Sequence, residues 1–395
     1  MMPDIRAAIT QSEVVDLLRE LVAIDSTNSD VMPGAAGEAG VARFVRGYLD
    51  DLGLEVGLTE VESGRPNVSG LLRAPGATKT LLLDSHMDTM PAGGMGERAH
   101  RPEVRDGRLY GRGACDDKAS LAAMLLAMRV LAGMRDSLPV NVLMLASMGE
   151  ENTMAGIKHF ARSGVQVDSA IVGEPTDLGI VIAHKGYLRF RVRTLGRAAH
   201  TADPSVGDNA VYQMADVLAL FRDELQRRWE HVAHPLLTPP TIAIGKIAGG
   251  QAVNIVPAEC AIEVDRRLLP HEDPDVVLEN VDAALAGLMA RRPRVKVVRD
   301  EPFAIDRGLD TPPGAPVVLA AHAACEATLG RASVLGVSYG THAAPLWRIA
   351  GIPSIVLGPG SIAQAHTADE YVELAQLPLA VEIYCRAALH GLGGR

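Results

Sequence analysis

Two apolar runs in this chain end in polar, chemically active residues. Thr80-Leu81-Leu82-Leu83-Asp84-Ser85 leads into His86-Met87-Asp88, and Val140-Asn141-Val142-Leu143-Met144-Leu145-Ala146-Ser147 leads toward Glu150-Glu151. Runs of this length read as strands buried on both faces, the mark of a parallel sheet covered by helices. In open α/β sheets, sites gather just past the carboxyl ends of such strands. A histidine, aspartates and two adjacent glutamates are thus expected at one rim. That is the material of a metal-dependent hydrolase.

A length of 395 residues exceeds one ordinary hydrophobic core, so two domains are expected. The 48% hydrophobic content supports well-buried sheets, and the low aromatic share of 4% points to Ala/Val/Leu packing between helices and strands. A net charge of −10 without a basic patch argues against a nucleic-acid partner. Met1-Met2-Pro3-Asp4-Ile5-Arg6 lacks an apolar signal core, and no run reaches membrane-spanning length. Cys115, Cys260, Cys325 and Cys385 form no CxxC pair and fit buried thiols in a reducing compartment. These features predict a soluble cytoplasmic protein with no membrane partner.

Along the chain, helical periodicity covers Ser12–Ala23 and Glu38–Leu52. Strands near 81–84, 140–146 and 169–173 then alternate with helices near 119–132 and 154–162. After His184 the texture changes. Tyr187-Leu188-Arg189-Phe190-Arg191-Val192-Arg193 alternates as a half-exposed strand does. A helix over 209–228, strands over 241–247 and 258–268, a helix over 275–290 and a strand over 295–299 follow. The order β-α-β-β-α-β is ferredoxin-like. The expected organisation is an α/β, mostly parallel-sheet domain (1–184 and 302–395) with an inserted α+β domain (185–301).

Five pieces carry the chemistry: His86 with Asp88, Gly111-Arg112-Gly113-Ala114-Cys115-Asp116-Asp117-Lys118, Gly149-Glu150-Glu151, Gly173-Glu174-Pro175-Thr176, and Ala365-His366-Thr367-Ala368-Asp369-Glu370. Amide hydrolysis at neutral pH needs an activated water, a base for its proton and a counter-charge for the oxyanion. A pair of divalent ions sharing a water supplies the first and last. Histidine and carboxylate suit zinc, and a ligating histidine needs a partner for its other ring nitrogen. Two adjacent glutamates are costly to bury unless one binds metal and the other handles the proton.

Each piece alone is a weak signal; their joint order is specific. Leu83-Asp84-Ser85-His86-Met87-Asp88-Thr89-Met90-Pro91, the Gly111–Lys118 loop, Glu150-Glu151 and Ala365–Glu370 resemble, in sequence order, a known family. It is the dinuclear-zinc hydrolase group of acetylornithine deacetylase, succinyl-diaminopimelate desuccinylase, aminoacylase and glutamate carboxypeptidase. The resemblance runs from the helix after Ser12 to the His366 motif. It implies that His86 and Glu174 hold one metal, Glu151 and His366 the other, and Asp116 bridges the two. Asp88 would orient His86, and Glu150 would be the general base that passes its proton to the leaving amine. It also makes Asp116–Asp117 a candidate cis peptide and the inserted domain a lid through which a homodimer forms. His200 would then reach the neighbouring subunit's oxyanion. The implied cofactor is two divalent ions, zinc first, with cobalt or manganese as alternatives.

For the substrate, Asn254 and Arg267 resemble the family's carboxylate-binding pair, and arginine's fork suits that partner. Arg266 reads instead as a solvated charge. Gly340, Thr341 and His342 form a further substrate-facing stretch. It departs from the deacetylase branch, which has aspartate where His342 stands, and this argues against acetylornithine as preferred substrate. Asp117-Lys118-Ala119-Ser120 departs from the usual Met-Lys-Gly-Gly. The expected reaction is removal of an acyl group from an N-acyl amino acid. The alternatives are a dipeptidase or carboxypeptidase, an inactive binding protein, and a two-metal phosphoesterase, which lacks a phosphate cradle.

Overall fold

In the computed structural model, which describes residues 5–393, the first helix starts where the sequence supplies a cap. Residues 1–4, most of the stretch searched for a signal core, lie outside the described residues. Thr10 Oγ1 accepts the Glu13 N–H and the Glu13 carboxylate accepts the Thr10 N–H, a reciprocal capping box for α1 (Gln11–Ala23). Val14, Leu17, Leu18, Leu21 and Val22 bury one face of α1, each contributing about 1.5–3 kcal/mol relative to exposure.

The chain continues through α2 (Ala39–Asp51) into β1 (Glu55–Glu62) and β2 (Arg65–Leu72), an antiparallel hairpin. Its turn places Gly64 at φ +73°, where glycine carries no Cβ penalty. β3 (Thr80–His86), β4 (Glu103–Arg105), β5 (Arg108–Tyr110), α3 (Lys118–Ala132), β6 (Asn141–Ser147), α4 (Ala155–Arg162), β7 (Ser169–Val172) and β8 (Ile180–His184) follow. α3 is buried along almost its whole length. Lys118 Nζ donates to the Leu21 and Ile24 carbonyls (3.0 and 2.7 Å), so the start of α3 caps the open end of α1.

Next come β9 (Gly186–Leu195), α5 (Ala210–Leu220), a π turn at Phe221–Leu225, α6 (Gln226–Trp229), β10 (Thr241–Gly249), β11 (Glu259–Leu268), α7 (Pro274–Arg291), β12 (Val297–Arg299), β13 (Ala304–Asp306) and β14 (Leu309–Asp310). The chain ends with α8 (Pro316–Leu329), β15 (Val334–Val337), α9 (Ala343–Ala350), β16 (Ser354–Val356), β17 (Tyr371–Glu373) and α10 (Gln376–His390).

Two units result: Met1–Ile182 with Thr311–Leu335 and Thr341–Arg395, and Ala183–Asp310 with Gly336–Gly340. The large sheet has the order β1-β2-β6-β3-β7-β16-β8-β14, with β15 also on β8. Its centre, β6-β3-β7-β16, is parallel, and antiparallel strands finish both sides. The fold is therefore α/β around a mostly parallel core, with an inserted α+β unit. In that unit the order is β10-β11-β9-β12 with antiparallel pairing, the ferredoxin-like arrangement. Leu188, Phe190 and Val192 of β9 pack with Val217, Phe221, Val281 and Leu285. β13 pairs with β9, so the second unit runs on past the expected boundary at 301 to Asp310.

Candidate metal centre

Parallel register sets the rim of the first unit. Asp84 pairs with Leu145 of β6 on one side and Val172 of β7 on the other, so the three strands end together. His86 is the last residue of β3, Glu150 and Glu151 lie just past β6, and Glu174 lies just past β7. Asp116 precedes α3, and the Asp116–Asp117 peptide is cis. His366, at φ +62°, arrives on the loop before β17.

These side chains meet in two overlapping groups. Ligand atoms of His86, Asp116 and Glu174 all lie within 4.8 Å of one another, as do those of Asp116, Glu151 and His366. Asp116 belongs to both. Its Oδ1 stands 3.0 Å from His86 Nε2, while its Oδ2 stands 3.3 Å from His366 Nε2. His366 Nε2 is also 3.0 Å from Glu151 Oε2. Neighbouring ligands on a tetrahedral zinc, each about 2.0–2.2 Å from the ion, stand roughly 3.3 Å apart. The donors already hold that spacing.

The electrostatics point the same way. Burial pushes the Glu150 and Glu174 carboxyls well above their usual range, and neighbouring carboxylates add to it. Burial, with Asp116, pushes Glu151 up to about 6. Asp116 and Glu151 together raise His366 to about 10. Burial works against ionisation of Asp116, but His366 and His86 outweigh it and hold its carboxyl low. Carboxylates thus outnumber their imidazole partners in a dry place. Two divalent cations would neutralise the excess and turn both histidines into neutral ligands, so the residues fit such a pair.

Asp88 acts more broadly than orienting His86. His86 Nδ1 lies 2.9 Å from the Asp88 main-chain carbonyl and 3.5 Å from its carboxylate. The carboxylate accepts the N–H groups of Glu150 and Glu151 (both 3.0 Å) and Asn28 Nδ2 (2.7 Å). Burial would raise this carboxyl, but His86, Asn28 and the Glu151 N–H hold it at about 2. Glu38, clasped by Arg65 at 2.6 and 2.8 Å, accepts the Gly149 N–H at 3.1 Å. The turn bearing both glutamates is therefore fixed by its backbone, while the Glu151 carboxylate accepts the Met90 N–H at 3.1 Å and meets His366.

In the Gly340–His342 stretch, Thr341 and His342 are buried. The Thr341 hydroxyl accepts the N–H of Ala343, the first residue of α9, at 3.2 Å. His342 Nδ1 lies 2.9 Å from Asp84 Oδ2 and 3.2 Å from Ser147 Oγ, and its ring meets His86 edge to face. Ser147 Oγ donates to Asp84 Oδ1 at 2.7 Å. Gly340 falls in the second unit, where an added Cβ would make ordinary contact with Lys185 and Tyr187.

Within the second unit, His200 and Asn254 are exposed and brought together. The Thr201 N–H donates to the Asn254 carbonyl at 3.1 Å, and His200 bridges to Ile255. Arg267 is half-buried with Nε on Asp265 at 2.8 Å. Arg266 is not a solvated charge. It is fully buried, paired with Glu272 at 2.6 Å and stacked on Trp229 at 4.4 Å. Its strand position alternates inward, which the doubled arginine concealed.

Several supporting residues escape the linear reading: Asn28, Glu38, Arg65, Asp84 and Ser147. Asp84, inside an apolar run, carried the one visible signal, because a buried strand carboxylate needs a partner.

Comparison with known proteins follows the same line. A model of peptidase family M20/M25/M40 matches residues 82–390. The acetylornithine deacetylase of Photorhabdus laumondii is 32% identical over 369 residues, covering 91% of this chain and 92% of that protein. The acetylornithine deacetylase of Myxococcus xanthus is 32% identical, covering 100% and 99%. Among solved structures, aminopeptidase PepT from Bacillus cereus aligns with a TM-score of 0.79 at 23% identity, covering 97% of this chain and 99% of the other. The M20 family metallo-carboxypeptidase Sso-CP2 from Sulfolobus solfataricus aligns at 0.77 and 21%, covering 95% and 98%.

Proposed function

This chain belongs to peptidase family M20/M25/M40 and is a metal-dependent amidohydrolase, and from that premise we propose that it deacylates N-acyl amino acids. The observation that carries the reading is Asp116, whose two oxygens serve two separate ligand groups with Glu150 close by. His86 and Glu174 would hold one divalent ion and Glu151 and His366 the second, with Asp116 shared and zinc the natural choice for this donor set. Bound there, such ions supply Lewis acidity and a water acidic enough to ionise near neutral pH.

The chain's own groups do the rest. Glu150 takes the proton of the attacking water as its oxygen bonds to the acyl carbon. Glu150 then returns that proton to the amine nitrogen as the C–N bond breaks, yielding a free amino acid and a carboxylic acid. Asp88 and Glu38 keep the Glu150 turn in register. Asn254 and Arg267 take the substrate carboxylate, and His200 donates to the developing oxyanion of a partner subunit's site. The exposed Val253, Tyr212 and Ile247 of the second unit support a homodimer formed there.

Acetylornithine, the substrate named for the relatives, carries an ammonium group. Asp84 is already committed to His342 and Ser147, so we assign a neutral side chain to the preferred substrate. The four free, buried cysteines suit the cytoplasm, and no described helix is long and apolar enough to cross a membrane.

Metal-reconstituted protein offered a panel of N-acyl amino acids and dipeptides, assayed for free amine, tests this. Faster release from N-acyl amino acids is expected. Faster release from dipeptides would replace the deacylase reading with a peptidase one, and no release from either class would remove both.

A further inference from the structure

Glu370 is fully buried, yet it is absent from both ligand groups. Its Oε1 accepts two main-chain N–H groups, those of Cys115 (2.9 Å) and Asp116 (3.1 Å). Its Oε2 takes Arg112 Nη1 at 2.5 Å. Arg112 is itself buried, and its Nε donates to the Pro91 carbonyl at 3.2 Å. Glu370 also accepts through its main chain, from the Gly111 N–H at 3.2 Å. Directly after it, β17 pairs with β5, the strand that leads into the Gly111–Asp116 loop. On the other side, Cys115 Sγ reaches the Ser361 carbonyl at 3.4 Å and sits where a side chain on Gly360 would fall.

Both oxygens of Glu370 are thus consumed, so it is not a spare ligand. What it joins is specific. Its own loop carries His366, and the amides it holds belong to Asp116 and the residue before it. A buried ion pair is weak evidence for stability, since apolar residues of similar volume often serve as well. A charged carboxylate gripping two successive amides instead fixes geometry.

We infer that Glu370 is a positioning residue that sets the placement of Asp116 relative to His366, and with it the separation of two bound ions. The inference rests on the two-ion reading above. It predicts that Glu370→Gln, whose amide cannot satisfy both N–H groups and Arg112 at once, weakens uptake of the second ion and changes the coupling between ions. The arrangement of ligands is kept in every other respect.

The test uses Mn2+ as probe on the full chain, with uptake followed by calorimetry and ion–ion coupling by electron paramagnetic resonance. Wild-type protein should bind two ions and give an exchange-coupled spectrum. Glu370→Gln should bind the second ion about 10- to 100-fold more weakly and, at saturating Mn2+, give a spectrum with altered coupling. Arg112→Lys keeps the carboxylate on its amides, and should lower thermal stability while retaining the coupled spectrum. Should Glu370→Gln fail to fold, Glu370→Asp, which keeps the charge on a shorter arm, carries the same expectation. Wild-type coupling and affinity in the folded Glu370 variant would overturn the inference alone. Absence of a coupled pair in wild-type protein would overturn the two-ion reading, and this inference with it.

Discussion

The Asp88 carboxylate accepts the main-chain N–H of Glu150 at 3.0 Å, across 62 residues of sequence. The end of β3 therefore dictates where the turn after β6 presents its glutamates. Asp88→Asn replaces an acceptor with a donor facing an N–H, leaving a buried amide unmatched at about 1–3 kcal/mol. With both ions still bound, kcat should fall about 10- to 100-fold. Steady-state kinetics beside metal analysis reads this. An unchanged kcat would show that the Asp88 contacts do not govern the turn.

Metal uptake should release protons. Without metal, His366 is raised to about 10 by Asp116 and Glu151, against an ordinary imidazole value of 6.5. Between those two pH values the folded, metal-free protein holds a proton that its unfolded chain has lost. The stabilising effect of that proton is complete below 6.5 and is lost as pH rises toward 10. A ligating imidazole must be neutral, so ion binding at pH 7 ejects the proton, and affinity should climb with pH. Calorimetric titration in two buffers of different ionisation enthalpy measures it. Identical apparent enthalpies would contradict the pairing of His366 with these carboxylates.

Substrate choice should follow the His342–Asp84 pair. We expect kcat/KM for acetylornithine to lie at least about tenfold below that for neutral N-acetylamino acids, a difference of roughly 1.4 kcal/mol. His342→Asp should not simply convert the preference. It sets a second carboxylate against buried Asp84 and removes its hydrogen-bond partner, which costs about 1–3 kcal/mol or more for a charged group. Denaturant unfolding of that variant reads the stability, and equal turnover of both substrates by wild-type protein would remove the argument.

His200 gives a prediction about assembly. Loss of one oxyanion donor typically costs about 10²–10³ in kcat, so His200→Ala should be nearly inactive with full metal content. Glu150→Gln should be inactive as well. Mixed and allowed to exchange subunits, the two variants should regain activity, because one subunit supplies Glu150 and its partner supplies His200. No recovery on mixing would place His200 within its own subunit or outside the reaction.

The meeting of several of these side chains at one rim was legible because polar residues sat at the ends of apolar runs, where sheet topology leaves few places for them to go; Asp116 and His366, which follow no such run, came only from the resemblance. His86, Glu150 and Glu174 needed only the parallel register of β3, β6 and β7 to meet. The ferredoxin-like order was legible because each element carried its own period. β1 was not, since its half-exposed polar pattern looks like loop. The supporting shell was hidden for a different reason. Asp84 and His342 are 258 residues apart, as are Arg112 and Glu370, and no local period links such pairs. Arg266 misled because arginine defaults to solvent, and only tertiary packing on Trp229 reverses that.

Anomalous diffraction from zinc-loaded crystals tests the central claim most directly. Two peaks about 3.5–4 Å apart, each bonded to a different oxygen of Asp116, are predicted. A single peak, or a pair in which Asp116 contacts neither ion, would contradict it.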